Sequence, residues 1–153
     1  MGSDSDLETL QETIKVLKDF AVGFDIKVLS AHRTPKEVVA YVEAAPKKGV
    51  KVFIAAAGGA AALAGVIAAH TTLPVIGIPI ETKSLSGLDS LFSTVQMPGG
   101  IPVGTMAIGK PGAKNAALFA LEILGTSDAK ISGKLVKYKE NMRAKIKQIK
   151  IKV

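Results

Sequence analysis

The chain has 153 residues, 48% hydrophobic and 22% charged, with no cysteine and a formal net charge of +7. That length and composition fit one soluble globular domain with a core of its own. The missing cysteines exclude a disulfide scaffold and a thiolate metal site. No apolar run is long enough to span a membrane and no signal-peptide pattern opens the chain, so the cytoplasm is the expected location.

The first informative string is Gly2-Ser3-Asp4-Ser5-Asp6, hydroxyls and carboxylates at a turn where a helix begins. Leu7, Leu10, Ile14 and Leu17 then recur at spacings of three and four, which predicts an amphipathic helix. Phe24, Ile26 and Val28 alternate with Asp25 and Lys27 and predict a half-exposed strand over 24–29. The second string, Ser30-Ala31-His32-Arg33-Thr34-Pro35, holds one of only two histidines. Thr34 as N-cap, Pro35 at the first helical position and Glu37 as capping-box partner predict a helix carrying Val38, Val39 and Val42.

Val50–Ala57 is a buried-strand candidate, broken by Gly58-Gly59 before the small, apolar helix expected over Ala60–Ala69. That helix has almost no polar face and is expected to be buried all round, with neighbouring subunits covering it. His70 stands where it ends. Val75–Ile80 is another buried strand, followed by a polar loop over 81–88 and a short helix over Leu88–Gln96 that Asp89 could cap. Met97 fits a core position or an apolar wall. Val103–Ile108 reads as the last strand, Ala113–Leu124 as its helix and Gly125 as a C-cap.

The tail predicts one more helix, with Ile131, Leu135, Met142, Ile146 and Ile149 on one side. Residues 1–127 hold eleven Lys/Arg and eleven Asp/Glu, whereas 128–153 hold nine Lys/Arg against Asp128 and Glu140. All the excess charge therefore lies in the tail. A solvated helix face accounts for it, because the tail lacks aromatic interleaving beyond Tyr138 and carries no nucleic-acid motif. Retention on DNA that disappears with residues 128–153 would mark the alternative, a nucleic-acid binder.

Strands separated by helices imply a parallel sheet covered on both faces, with ligands at the carboxyl ends of the strands. Both strings, and Ala57-Gly58-Gly59, fall at such turns. A helix N-terminus presents unpaired N–H groups and favours phosphate. Two such termini with Ser, Asp and Arg beside them and a histidine between point to a pocket for a phosphorylated small molecule with an acid/base residue. His32 is that acid/base candidate, since imidazole exchanges protons near neutral pH. Arg33 and Ser30 suit phosphate. Ser3 and Asp6 serve equally as helix caps, and Gly58 and Gly59 equally as a plain turn.

These residues resemble the PurE family of purine biosynthesis, which carboxylates aminoimidazole ribonucleotide. The resemblance rests on MGSDSDL (1–7), SAHRTP (30–35), AGGAAALAG (57–65), LPVIGIPI (73–80), SGLDSLFSTVQMPGGIPVGT (86–105) and NAALFALEIL (115–124), in family order over residues 1 to 125. It implies a flavodoxin-like three-layer α/β/α domain over 1–125 and a basic helix over 126–153 packing on the domain or a neighbouring subunit. It further implies a homo-octamer with shared active sites, and a reaction without metal or cofactor. His32 would carry the proton, and Ser3, Asp6, Ser30, Arg33, Gly58 and Gly59 would bind the ribonucleotide substrate; neither nucleic acid nor membrane is an expected partner.

SAHRTP and VQMPGGIP resemble the mutase branch, which moves a carboxylate from N5 to C4 of the imidazole ribonucleotide. Ala62 and Ala64, where that branch usually has His and Pro, resemble the branch that uses free carbon dioxide. A phosphate-ligand-binding homologue without full activity is the remaining alternative. The family also carries an apolar strand immediately before MGS. A sequence beginning at an internal methionine, or a truncated product, would leave a gap beside strands 24–29 and 50–57. Each buried unpaired N–H or C=O there would cost about 1–3 kcal/mol, and about six apolar residues restored before Met1 would then raise stability and activity together.

Overall fold

The three-and-four spacing near the N-terminus forms α1 (Leu7–Asp19) in the computed structural model, which describes residues 1–151. Leu10, Val16 and Leu17 are buried on its inner side. Pro35, its φ already helical, opens α2 (Pro35–Ala44), which buries Val38 and Val42. There follow β1 (Phe53–Ala57), α3 (Leu63–Ala69), β2 (Val75–Pro79), α4 (Leu88–Val95), β3 (Gly104–Thr105), α5 (Gly109–Gly125) and α6 (Ala129–Lys147).

The strands pair in parallel in the order β1-β2-β3, with Phe53 opposite Val75 and Ile76 opposite Gly104. Side chains alternate across a strand. On one face Phe53, Ala55 and Val75 share a core cluster with Val38 and Val42 of α2 and Leu63, Ala64 and Ile67 of α3. Gly77 lies on that face too, and a Cβ there would strike Thr94 of α4, so the missing side chain lets α4 lie close to the sheet. Ile76 and Ile78, both fully buried, point to the other face, where Gly104 approaches Phe119 of α5. On that side the Thr13 hydroxyl donates to the Ala113 carbonyl at 2.7 Å, tying α1 to α5. The result is the three-layer α/β/α arrangement with a parallel sheet that the sequence predicts.

Several boundaries differ from expectation, each for a local reason. Residues 24–29 form no strand. Their ladder is confined to Met1, whose ammonium donates to the Lys27 carbonyl and whose carbonyl accepts from the Leu29 N–H, both at 2.9 Å. Phe24, Ile26 and Val28 stay 39–50% exposed. β3 pairs through two residues only. α3 starts at Leu63 rather than Ala60 because Gly59 and Ala61 have positive φ, 66° and 27°, which no helix continues. Within this chain α3 is covered on one side: Leu63, Ala64 and Ile67 are buried and Gly65, Val66 and Ala68 only partly so. α5 begins four residues early, at Gly109, because Pro111 is tolerated in a first turn.

Two compact units divide the chain, Met1–Ala120 and the segment from Leu121 onward. In the second, the Asp128 carboxylate caps α6 by accepting from the N–H groups of Lys130 and Ile131 at 2.8 and 3.1 Å. Leu135 packs against Gly125, and Lys139 pairs with Glu122 at 2.9 Å. Met142, Ile146 and Ile149, the far half of the predicted apolar side, are exposed. No helix among the described residues is long and apolar enough to cross a membrane.

Candidate active site

Asp4–Asp6 form a single 3-10 turn before α1, capped by Ser3 in a capping box with Asp6. The Ser3 hydroxyl accepts from the Ser5 N–H at 3.4 Å, and the Ser3 N–H donates to Asp6 Oδ2 at 3.0 Å. Such a cap is worth about 0.5–2 kcal/mol. The Gly2 N–H donates to the Ala56 carbonyl at 2.9 Å, which pins the turn to the end of β1. Asp6 is only 6% exposed. Burial pushes its carboxyl above the usual carboxylate range, against the pull of the Ser3 and Gly2 amides and the terminal ammonium.

The second turn, Ser30–Thr34, is bound to the first by Arg33. Its Nη2 donates to the Gly2 carbonyl at 3.0 Å and its Nε to Ser30 Oγ at 3.3 Å. The Ser30 hydroxyl also accepts from the Arg33 N–H at 3.2 Å. The predicted capping box of Thr34 and Glu37 does not form. Instead the Thr34 hydroxyl turns back, accepting from the Ser30 N–H at 2.9 Å and donating to the Ser30 carbonyl at 3.1 Å. The turn is thus closed on itself, with His32 exposed at its tip.

The third turn follows β1. A cavity of about 510 Å³ opens between the three turns. Gly2, Ser3, Ser5 and Asp6 line it from the first; Ser30, Ala31, His32 and Arg33 from the second; Ala57, Gly58, Ala61, Ala62 and Leu63 from the third. Ile80, Glu81 and Thr82, just past β2, complete the wall. The structure therefore brings together Ser3, Asp6, Ser30, His32, Arg33 and Gly58. Gly59 is the exception: it does not line the cavity, and its N–H donates to Ser90 Oγ at 2.9 Å.

Other sequence candidates fall outside the cavity. Asp89 is not the N-cap of α4, which is Gly87. Its carboxylate accepts from the Thr82 hydroxyl at 2.8 Å, and that hydroxyl accepts from the Gly87 N–H at 3.2 Å, fastening the 82–87 loop. Met97 packs beside Gly65. His70 is exposed at the end of α3. Glu81 and Thr82 were not singled out from sequence, although their place at the carboxyl end of a strand could have flagged them. The arrangement offers one titratable imidazole, one guanidinium, one buried carboxyl and several hydroxyls around a small-residue floor. It can hold an anionic, polyhydroxylated ligand and move one proton.

The AIR carboxylase family profile matches residues 1–145. The N5-carboxyaminoimidazole ribonucleotide mutase of Pyrococcus abyssi is 57% identical over 143 residues, 94% of this chain and 81% of its own length. The enzyme of the same name from Bacillus subtilis is 52% identical over 143 residues, 94% and 88% of the two chains. The crystal structure of Treponema denticola PurE superimposes with a TM-score of 0.84 at 29% identity, covering 95% of this chain and 90% of that one.

Proposed function

The chain belongs to the AIR carboxylase family, and from that premise we propose that it is an N5-carboxyaminoimidazole ribonucleotide mutase of purine biosynthesis. The observation that carries this is identity of about half over nearly the whole chain with enzymes of that name. In the reaction the N5–carboxylate bond breaks and N5 takes up a proton. The released carbon dioxide bonds to C4, and C4 gives up its proton. One carboxyl group and one proton change places, with no net oxidation.

In this reading His32 supplies the proton to N5 and removes it from C4, since it is the one imidazole lining the cavity. Arg33 and Ser30 take the 5′-phosphate at the second turn. Ser3 and Asp6 take the ribose hydroxyls. Gly58 lets the ring approach the backbone. Ala62, with its short side chain on the cavity wall, favours the runner-up, direct carboxylation by free carbon dioxide. The reading also includes a homo-octamer. Its support is the apolar outer side of α4, where Leu88, Phe92 and Val95 are 48–57% exposed.

The test follows the imidazole absorbance with each substrate. Conversion of N5-carboxyaminoimidazole ribonucleotide, with no comparable carboxylation of aminoimidazole ribonucleotide plus bicarbonate, is the expected result, and the reverse pattern selects the runner-up. His32→Asn should lower kcat at least ~10²-fold with KM nearly unchanged. A near-normal kcat would remove the histidine from the chemistry.

A further inference from the structure

A row of hydroxyls on α4 has no part in the proposed chemistry. Ser90, Ser93 and Thr94 stand at spacings of three and four, on one side of the helix. Ser90 is fully buried, and its hydroxyl makes two bonds to backbone. It accepts from the Gly59 N–H at 2.9 Å and donates to the Ile80 carbonyl at 2.7 Å. Ser93 donates to the Gly59 carbonyl at 3.2 Å. Both polar backbone groups of Gly59 are therefore held by one helix. Thr94 donates to the Ser90 carbonyl at 2.7 Å, as buried Ser and Thr in helices commonly do.

The groups that Ser90 joins belong to two different walls of the cavity. Gly59 follows Gly58 and stands two residues before Ala61, and Ile80 is followed by Glu81 and Thr82; these four neighbours and Ile80 itself border the cavity. Gly59 at φ 66° and Ala61 at φ 27° place this turn in a conformation that L-residues rarely adopt. Such a turn persists only where its surroundings hold it. Taking the proposed ribonucleotide chemistry as given, we infer that Ser90 is a positioning residue for the reaction: its hydroxyl fixes the spacing between the Gly58–Ala62 turn and the Ile80–Thr82 segment. It does not touch substrate. It acts by keeping Gly59 turned away from the cavity, which leaves Gly58 and Ala62 to face the ligand.

A merely structural serine and a positioning serine both lower stability when removed, so the test needs a matched control. Thr13 supplies it: a buried hydroxyl on α1, bonded to the Ala113 carbonyl, that does not line the cavity. Ser90→Ala and Thr13→Val should both lower the melting temperature. Ser90→Ala alone should raise KM for N5-carboxyaminoimidazole ribonucleotide about tenfold or more, with the pH–rate profile unchanged. Ser90→Cys, which keeps a weaker donor and acceptor in a slightly larger side chain, should raise KM less, and it carries the same test if Ser90→Ala does not fold. Amide hydrogen exchange should show protection lost at Gly59 in the Ser90 variants and kept in Thr13→Val. A KM within twofold of wild type, or an equal rise in Thr13→Val, overturns the inference. If the unmodified protein does not turn this substrate over, the proposed function falls. The exchange measurement then decides the clamp alone, unaltered Gly59 protection in the Ser90 variants overturning it.

Discussion

Arg33 does two things at once. Two of its donors are committed to Gly2 and Ser30, which bind the first and second turns together. Arg33→Ala should therefore weaken binding of the ribonucleotide far more than of its dephosphorylated analogue, and Arg33→Lys should not restore it, because an ammonium lacks the fork. Titration calorimetry with the two ligands checks this; equal losses would remove the phosphate role. Asp6 gives a pH-dependent counterpart. Its folded-state pKa is raised by burial, so between the unfolded and folded values the native state holds more protons. Stability then falls as pH rises through that window and stays lowered above it. Asp6→Asn keeps a cap acceptor for the Ser3 N–H while removing the buried charge. It should melt at or above the wild-type temperature at neutral pH, with the difference shrinking below about pH 4, where a carboxyl is protonated in either state. It should also bind the ribonucleotide more weakly. A neutral-pH melting temperature well below wild type would contradict the burial argument.

α4 has two unlike sides. Ser90 and Thr94 are buried against the rest of the fold, while Leu88, Phe92 and Val95 are left in solvent. The proposed octamer places a subunit contact on this apolar stripe. Because Phe92 is 57% exposed, Phe92→Glu should leave the fold intact and reduce the assembled mass seen by light scattering. An unchanged mass would place the subunit contact elsewhere. Legibility from sequence also divides along elements. Helices with strong three-and-four spacing, α1 and α4, were readable to within two residues, and so were the buried runs of β1 and β2, to within three. What local pattern could not show was pairing. Phe24, Ile26 and Val28 alternate as a strand should, yet strand formation needs a partner ladder, and among the described residues Met1 alone bonds to this segment's backbone. Nor could spacing show that Thr34 would bond back to Ser30 instead of forward to Glu37, or that Gly59 would turn its N–H toward Ser90. Six of the seven site residues line one cavity: Gly58 by the rule that ligands sit at the carboxyl ends of parallel strands, the other five because Gly2 bonds to Ala56 and Arg33 to Gly2, which holds the first two turns at that end. That rule is readable in advance, whereas the hydrogen-bond partner of a single amide is not.

At the scale of the whole chain, the cavity is assembled from segments near residues 5, 32, 60 and 81 that meet only when the sheet forms. The site therefore exists only in the folded unit, and long-range contacts of this kind slow folding relative to a helical bundle. The surplus charge lies elsewhere in the sequence: residues 1–127 balance, and residues 128–153 carry the excess. One consequence concerns how the sequence can drift over generations. Gly2, Ala31, Ala57 and Gly58 are among the residues that line the cavity. Its capacity is therefore set by side chains that are missing, and selection for stability alone cannot see it. Gly58 has no positive φ, and a Cβ there would meet the Ile80 and Thr82 side chains at 3.6–3.8 Å, an ordinary contact. Gly58→Leu should leave the melting temperature within a few degrees and abolish ribonucleotide binding, readable by thermal unfolding and calorimetry; retained binding would refute it. Mutations of this class would accumulate silently in a lineage that no longer needed the activity. Such a lineage would retain a well-folded protein with a filled pocket, so alanine and glycine at these four positions are a better sign of a working enzyme than an intact core.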